Sequence, residues 1–273
     1  MPVRPRRRSA LFAVSAFLKR IARRVRAFRR VEHHEPLGRA LQDFLDRGED
    51  TRIGVHRSDG LSYSIEARDF FFIGGRLGPL DEEALRQARG RILDVGAGAG
   101  RHALALQERG REVVAIDISP LCVDIMRRRG VLEARLADVF EVQAEDFGQF
   151  DTILFLMQSI GMAGSLFGLE RLLLSLRILL RPGGQILLDS SANVSLGAQG
   201  NPSSEGIDVY FSLDGLQGES FSWLYIGERS LSETARRLGW SMAVLARMPQ
   251  GEYLARLAPL TSDPRRGHES KMQ

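Results

Sequence analysis

Ile92-Leu93-Asp94-Val95-Gly96-Ala97-Gly98-Ala99-Gly100 is the stretch on which the fold turns. It opens as a mostly apolar run and breaks into three glycines at every second position. It then continues into residues 101–109, whose pattern predicts a helix. A strand, a glycine turn and a helix in that order begin a parallel α/β unit. The pattern repeats outward. Residues 113–118 and 134–137 predict strands, and residues 120–129 between them predict a helix with Pro120 in its first turn. Residues 150–157 form an apolar strand, 168–180 a helix, and 185–189 another apolar strand behind the turn Pro182-Gly183-Gly184. Strands that are apolar on both faces and alternate with helices predict a mostly parallel sheet covered on both sides.

The glycines let backbone approach a ligand, and the helix that follows offers free N–H groups in its first turn. Asp117 ends the second strand about 20 residues on, where a carboxylate can accept hydrogen bonds from both hydroxyls of a ribose. Together they predict an adenosine-containing ligand. The dinucleotide fingerprint asks for glycine or alanine where this chain has Arg101. Asp94, two residues before the first glycine, would repel a pyrophosphate and suits a cationic ligand. S-adenosylmethionine carries an ammonium and a sulfonium and meets both conditions.

At these residues the sequence resembles the class I S-adenosylmethionine-dependent methyltransferases. Residues 92–100 are similar to their first motif, and Ala115-Ile116-Asp117-Ile118-Ser119 to the second-strand motif whose acid binds ribose. Asp138-Val139 resembles the acidic position that hydrogen-bonds the adenine amino group. Phe150-Asp151-Thr152-Ile153-Leu154 resembles the fourth-strand motif, and residues 179–188 the turn into the fifth strand. The resemblance spans residues 80–260, roughly. It implies a Rossmann-like α/β fold: a seven-stranded, mostly parallel sheet with an antiparallel last strand and helices on both faces. It implies S-adenosyl-L-methionine as cofactor, held by Asp94, Gly96, Ala97, Gly98, Gly100, Asp117, Ile118, Asp138, Val139 and Met157.

Within that family the chain is similar to a bacterial group that shares Leu156-Met157-Gln158-Ser159-Ile160-Gly161 and Asp189-Ser190-Ser191. Gln158, Ser159 and Asp189 are the candidates for acceptor contact. The fourth strand lacks the Asn/Asp-Pro-Pro-aromatic motif of amino methylases, and Cys122 is wrongly placed for a cytosine-C5 nucleophile. What is left is O-, N- or C-methylation of a small molecule or lipid. The sequence names no catalytic base and no metal site. A non-catalytic S-adenosylmethionine-binding module and a nicotinamide-dependent oxidoreductase are the alternatives.

Each position also has a plainer role. Asp94 can cap a turn, Asp117 and Asp138 can be acids at strand ends, and His102 can be a packing or capping residue. Trp223 and Tyr225 suit either an acceptor pocket or the core. Cys122, the only cysteine, excludes an intrachain disulfide and suits a reducing, cytoplasmic setting.

The chain has 273 residues and a formal net charge of +4, spread unevenly. Residues 1–31 hold ten Arg, one Lys and no acid, a charge of +11 that leaves −7 for the rest. The body therefore carries no footprint for nucleic acid. Leu11, Val14, Leu18, Ile21, Val25 and Phe28 make one apolar stripe of a helix among the arginines. Such a segment, residues 9–30, suits an anionic membrane surface, self-association, or packing on its own domain.

Four regions follow: the basic segment 1–31, an extension or lid over 32–90, a core over 91–260, and a polar tail over 261–273. In the extension, residues 35–48 predict a helix, and Asp81 can cap another running to Arg89. Inside the core, residues 207–227 predict an inserted hairpin about Asp214-Gly215. Residues 230–238 predict a helix capped by Ser230, and residues 240–248 and 253–257 two closing strands.

Overall fold

The structure, a computed structural model, describes residues 35–71, 77–191 and 206–260. The basic segment, His33-His34, Phe72 with the glycines at 74 and 75, the Gly/Ser/Asn-rich stretch after Ser191 and the polar tail lie outside the described residues.

Seven strands form the main sheet: β3 (Arg91–Val95), β4 (Glu112–Asp117), β5 (Ala134–Leu136), β6 (Phe150–Phe155), β7 (Leu180–Ser191), β11 (Trp240–Arg247) and β12 (Glu252–Pro259). Their spatial order is β11-β12-β7-β6-β3-β4-β5. The central strands pair in parallel, and β12 runs antiparallel to both β7 and β11. This is the mixed sheet with an antiparallel last strand that the sequence implied.

Neighbouring residues on a strand point to opposite faces, so each central strand feeds two cores. Leu93 and Ile153 enter one core, where Phe147 of α5 (Ala144–Phe147), Leu169, Leu172 and Leu176 of α6 (Leu166–Leu179) and Leu231 of α7 (Glu228–Arg237) join them. Ile92 and Leu154 enter the other. That core takes Leu85 of α2 (Pro79–Gln87), Leu106 of α3 (Arg101–Glu108) and Met126 of α4 (Pro120–Arg128). The apolar runs in the sequence thus reflect burial on both faces.

Element ends differ from the sequence expectation where a cap was misplaced. Helix α6 starts at Leu166 because the Ser165 hydroxyl accepts the Gly168 N–H at 3.0 Å. Helix α7 starts at Glu228 behind Gly227, so Ser230 lies inside its first turn and caps nothing. Helix α2 begins with Pro79 behind Gly78, so Asp81 also lies within the helix rather than at its cap. Strand β7 begins at Leu180 and runs through Pro182-Gly183-Gly184, so these residues do not end a loop before it.

A second sheet lies outside this layer. It is built from β1 (Arg52–Arg57), β2 (Ser62–Glu66), β8 (Ile207–Leu213), β9 (Leu216–Gln217) and β10 (Phe221–Trp223), in the order β10-β8-β1-β2 with β9 also on β8. Asp214 and Gly215 turn the chain with positive φ, and β8 and β10 pair antiparallel as a hairpin does. The hairpin is not freestanding. Strand β8 gives its other edge to β1, so the inserted segment and the N-terminal extension form one sheet. A third core closes beneath it. Ile53 and Leu213 of this sheet pack there with Leu41 of α1 (Glu35–Arg47), Phe71, Ala99 and Ile125.

Candidate functional site

Between the two sheets lies a cleft of about 1910 Å³. Sites for single small ligands span about 300–1,000 Å³, so two molecules fit here together. The floor is the set of loops at the carboxyl ends of β3 to β7. The roof is apolar and aromatic, with Val55, Ile65, Val209, Phe211, Phe221 and Trp223.

The glycine loop is shaped by backbone. Gly96, Gly98 and Gly100 have φ of 69°, 55° and 80°, a region costly for any residue with a Cβ. Gly96 and Ala97 donate their N–H groups to the Ile116 carbonyl at 2.9 and 3.1 Å, which ties the loop to β4. The Gly98 N–H donates to Asp117 Oδ2 at 2.9 Å, and the Ser119 N–H to Asp117 Oδ1 at 2.8 Å. Asp117 therefore orders the loop while it lines the cleft. Burial raises its pKa, and the N–H groups of Ser119 and Gly98 pull it back.

Of the residues expected to hold the cofactor or the acceptor, all but Asp94 and Gly100 line this cleft. Gly100 instead sits where α4 crosses close. A Cβ there would come within 2.8 Å of Val131 Cγ2 and 3.0 Å of Met126 Cγ. Asp94 is 2 % exposed and lies behind the wall. Burial raises its pKa, opposed by the charge of His102 and the N–H of Ala103, and its Oδ2 has no hydrogen-bond partner. A buried carboxylate oxygen left without a partner fits a nearby cationic ligand, as S-adenosylmethionine is. Asp138 lines the cleft and also accepts the Phe140 N–H at 3.0 Å, capping the turn at Val139–Glu141. Ile118 and the buried Val139 stand beside it in the wall.

The end of β6 is held in a costly shape. Met157 and Gln158 are consecutive non-glycine residues with φ of 56° and 59°. Each such residue costs about 1–3 kcal/mol and persists only where its surroundings enforce it. Two bonds do so. The Gln158 N–H lies 3.0 and 3.1 Å from the two oxygens of Asp189, and the Ser159 hydroxyl donates to the Val95 carbonyl at 3.1 Å. Ser159 is thus an anchor between β6 and β3. Asp189, at the end of β7, is 8 % exposed and lines the cleft. Burial pushes its pKa up to about 7, with the Asp81 charge adding to the rise.

Two features of the site had little sequence signal. Asp81, Arg101 and His102 form a charged cluster on the cleft wall, although Asp81 comes from outside the motif-bearing core. No spacing rule links residues 20 positions apart on different helices. The second feature is Gly161. A Cβ there would lie 2.1 Å from Trp223 Nε1, so the indole lies directly on this glycine. The Leu224 N–H also donates to the Gly161 carbonyl at 2.8 Å. Gly161 therefore seats the roof on the floor. The stretch Leu156–Gly161 pointed to this glycine without saying what it meets. Tyr225 also lines the cleft, with its hydroxyl 3.3 Å from that of Tyr63. Cys122 is buried, and burial raises its thiol pKa further.

Comparison with known proteins agrees with this geometry. Residues 92–184 match the family model described as a methyltransferase domain. A solved S-adenosylmethionine-dependent methyltransferase of Bacteroides fragilis, in complex with S-adenosyl-L-homocysteine, is 39 % identical. The superposition covers 85 % of this chain and 97 % of that one, with a TM-score of 0.76. The ubiquinone biosynthesis O-methyltransferase of Xanthomonas oryzae pv. oryzae (strain PXO99A) is 29 % identical over 108 residues, 38 % of this chain and 44 % of that protein. The magnesium-protoporphyrin O-methyltransferase of Rhodobacter capsulatus is 41 % identical over 66 residues, 23 % of this chain and 30 % of that protein. The chain thus matches less than half the length of these two curated relatives. The match to the Bacteroides fragilis protein extends over nearly all of that chain, and on it this protein belongs to the S-adenosylmethionine-dependent methyltransferase family.

Proposed function

We propose that the protein transfers a methyl group from S-adenosylmethionine to a small-molecule or lipid acceptor with an apolar body. The observation that carries this reading is the two-part cleft. Its floor holds the glycine loop, Asp117 and Asp138, and its roof is a separate apolar sheet.

When bound, S-adenosylmethionine supplies a methyl group activated by the positive sulfur. The protein's share is placement. Gly96 to Gly98 admit the donor close to backbone, Asp117 takes the ribose hydroxyls on its remaining lone pairs, and Asp138 with Val139 takes the adenine edge. Met157 closes the wall beside the donor. The roof aromatics hold the acceptor and exclude water, and Gln158 and Asp189 face the group to be methylated. The two curated relatives are named as O-methyltransferases, which supports an oxygen nucleophile. Where that nucleophile must lose a proton, Asp189 is placed to accept it.

The basic segment, residues 9–30, would bring the enzyme to an anionic membrane surface, in keeping with a cytoplasmic protein that acts on an apolar acceptor. Calorimetry with S-adenosylmethionine and NAD tests the donor, and binding of NAD alone would overturn the reading. Transfer of a labelled methyl group into metabolite and lipid extracts tests the activity. A protein that binds the donor and labels nothing would be a binding module.

A further inference from the structure

The charged cluster on the cleft wall is not absorbed by the roles given above. Asp81 Oδ2 accepts from Arg101 Nη2 at 2.7 Å, and Asp81 Oδ1 lies 3.2 Å from His102 Nε2. The three side chains are only 13 %, 12 % and 4 % exposed, and all line the cleft. Arg101 is pinned further. Its Nη1 donates to the Asp69 carbonyl and lies 3.6 Å from Met157 Sδ. Its Nε is buried with no partner.

Arg101 is also the first residue after the glycine loop, and it lines the same cleft as Gly96 and Gly98. Asp94, which the sequence matched to a cationic ligand, lies behind this wall. Burial of Asp81 works against its charge, yet His102 and Arg101 hold its pKa below the usual value. The wall therefore presents a fixed negative group and a fixed positive group side by side. Asp81 keeps a lone pair on each oxygen, and Arg101 Nη2 keeps a second hydrogen.

We propose that Asp81 and Arg101 bind the amino-acid end of the methyl donor. Asp81 holds its ammonium and Arg101 its carboxylate, and His102 positions Asp81 between them. The proposal rests on the donor being S-adenosylmethionine. A zwitterion adds one charge of each sign to an existing pair, so the site stays balanced when filled and needs no rearrangement of net charge. The recognition of the donor then depends on a helix outside the motif-bearing strands.

The test compares two ligands by calorimetry on the full chain. S-adenosylhomocysteine carries the amino-acid end. 5′-Methylthioadenosine keeps the adenosine and the thioether and lacks that end. The wild type is expected to prefer S-adenosylhomocysteine by tenfold or more, roughly the scale of one charge-assisted hydrogen bond. D81N and R101Q are each expected to weaken S-adenosylhomocysteine about tenfold and to leave 5′-methylthioadenosine within about twofold. Parallel losses for both ligands would mean that the cluster only packs the wall, and would overturn the proposal. So would unchanged binding in both variants, or equal affinity of the wild type for the two ligands, a comparison that needs no variant to fold. A wild type that binds neither ligand would instead remove the donor reading on which the proposal stands.

Discussion

Single residues carry two kinds of duty in this cleft, and substitutions separate them. Asp117 both orders Gly98 and faces the cleft. Asp117→Ala is expected to weaken S-adenosylhomocysteine binding by about 1–3 kcal/mol, the scale of lost hydrogen bonds to a charged group. Titration calorimetry checks it, and an unchanged affinity would remove the ribose role. Asp189 is the pH-sensitive residue. Its folded pKa, about 7, lies above that of an unfolded aspartate. Between the two values the native state keeps a proton that the unfolded state has lost, so stability falls as pH rises through that window and levels off above it. Asn at 189 can still accept the Gln158 N–H and has no such titration. Urea unfolding from pH 4 to 8 is expected to show the wild type losing stability relative to Asp189→Asn as pH rises. Parallel curves would mean that Asp189 is ionised throughout. These residues were legible to different degrees. Asp117 and the glycines could be named from spacing because one strand, one loop and one helix set their geometry. Asp81 could not, because only packing brings α2 beside α3.

At the scale of elements, the junction of roof and floor depends on the five-residue turn Ser159–Ala163 and strand β10. Gly161→Ala would drive a methyl group into the Trp223 indole. Overpacking of this kind costs about 1–3 kcal/mol. We expect that loss in urea unfolding, with binding of S-adenosylhomocysteine largely kept because the glycine loop is untouched. In Gly161→Ala/Trp223→Ala the clash is gone, so the alanine at 161 should cost almost nothing against Trp223→Ala alone. Equal costs of the alanine in both backgrounds would show that Trp223 is not what Gly161 makes room for. The helix starts teach a similar lesson. Ser165 caps α6 through a bond that the apolar pattern does not reveal, and Ser230 had the right residue type in the wrong place.

For the whole molecule, the cleft exists because two segments far apart in sequence share one sheet. Strand β8 lies between β1 and β10, so the roof needs the N-terminal extension and the insertion together. The acidic body and the basic segment 1–31 divide the charge, −7 against +11. Among the described residues no helix is long and apolar enough to cross a membrane. Residues 9–30 lie outside the described residues, and their proposed association is with a membrane surface. The full chain is expected to co-sediment with anionic phosphatidylserine vesicles and to be released by salt, whereas a chain starting at Glu32 should stay in solution. Equal sedimentation of the two would remove the membrane role.

The sequence by itself determined the order of strands and helices, the glycine loop, the carboxylate at the second strand end and the chemistry of the donor. These follow from local rules: apolar runs where both faces are buried, glycine where φ is positive, and an acid at a fixed distance along one strand-loop-helix unit. Tertiary structure alone decided that Asp94 lies behind the cleft wall, that Asp81 and Arg101 stand on it, that Ser159 anchors β3, and that the predicted hairpin completes a roof. Each of those facts is a meeting of segments with no fixed spacing, set by which faces the two sheets bury against one another.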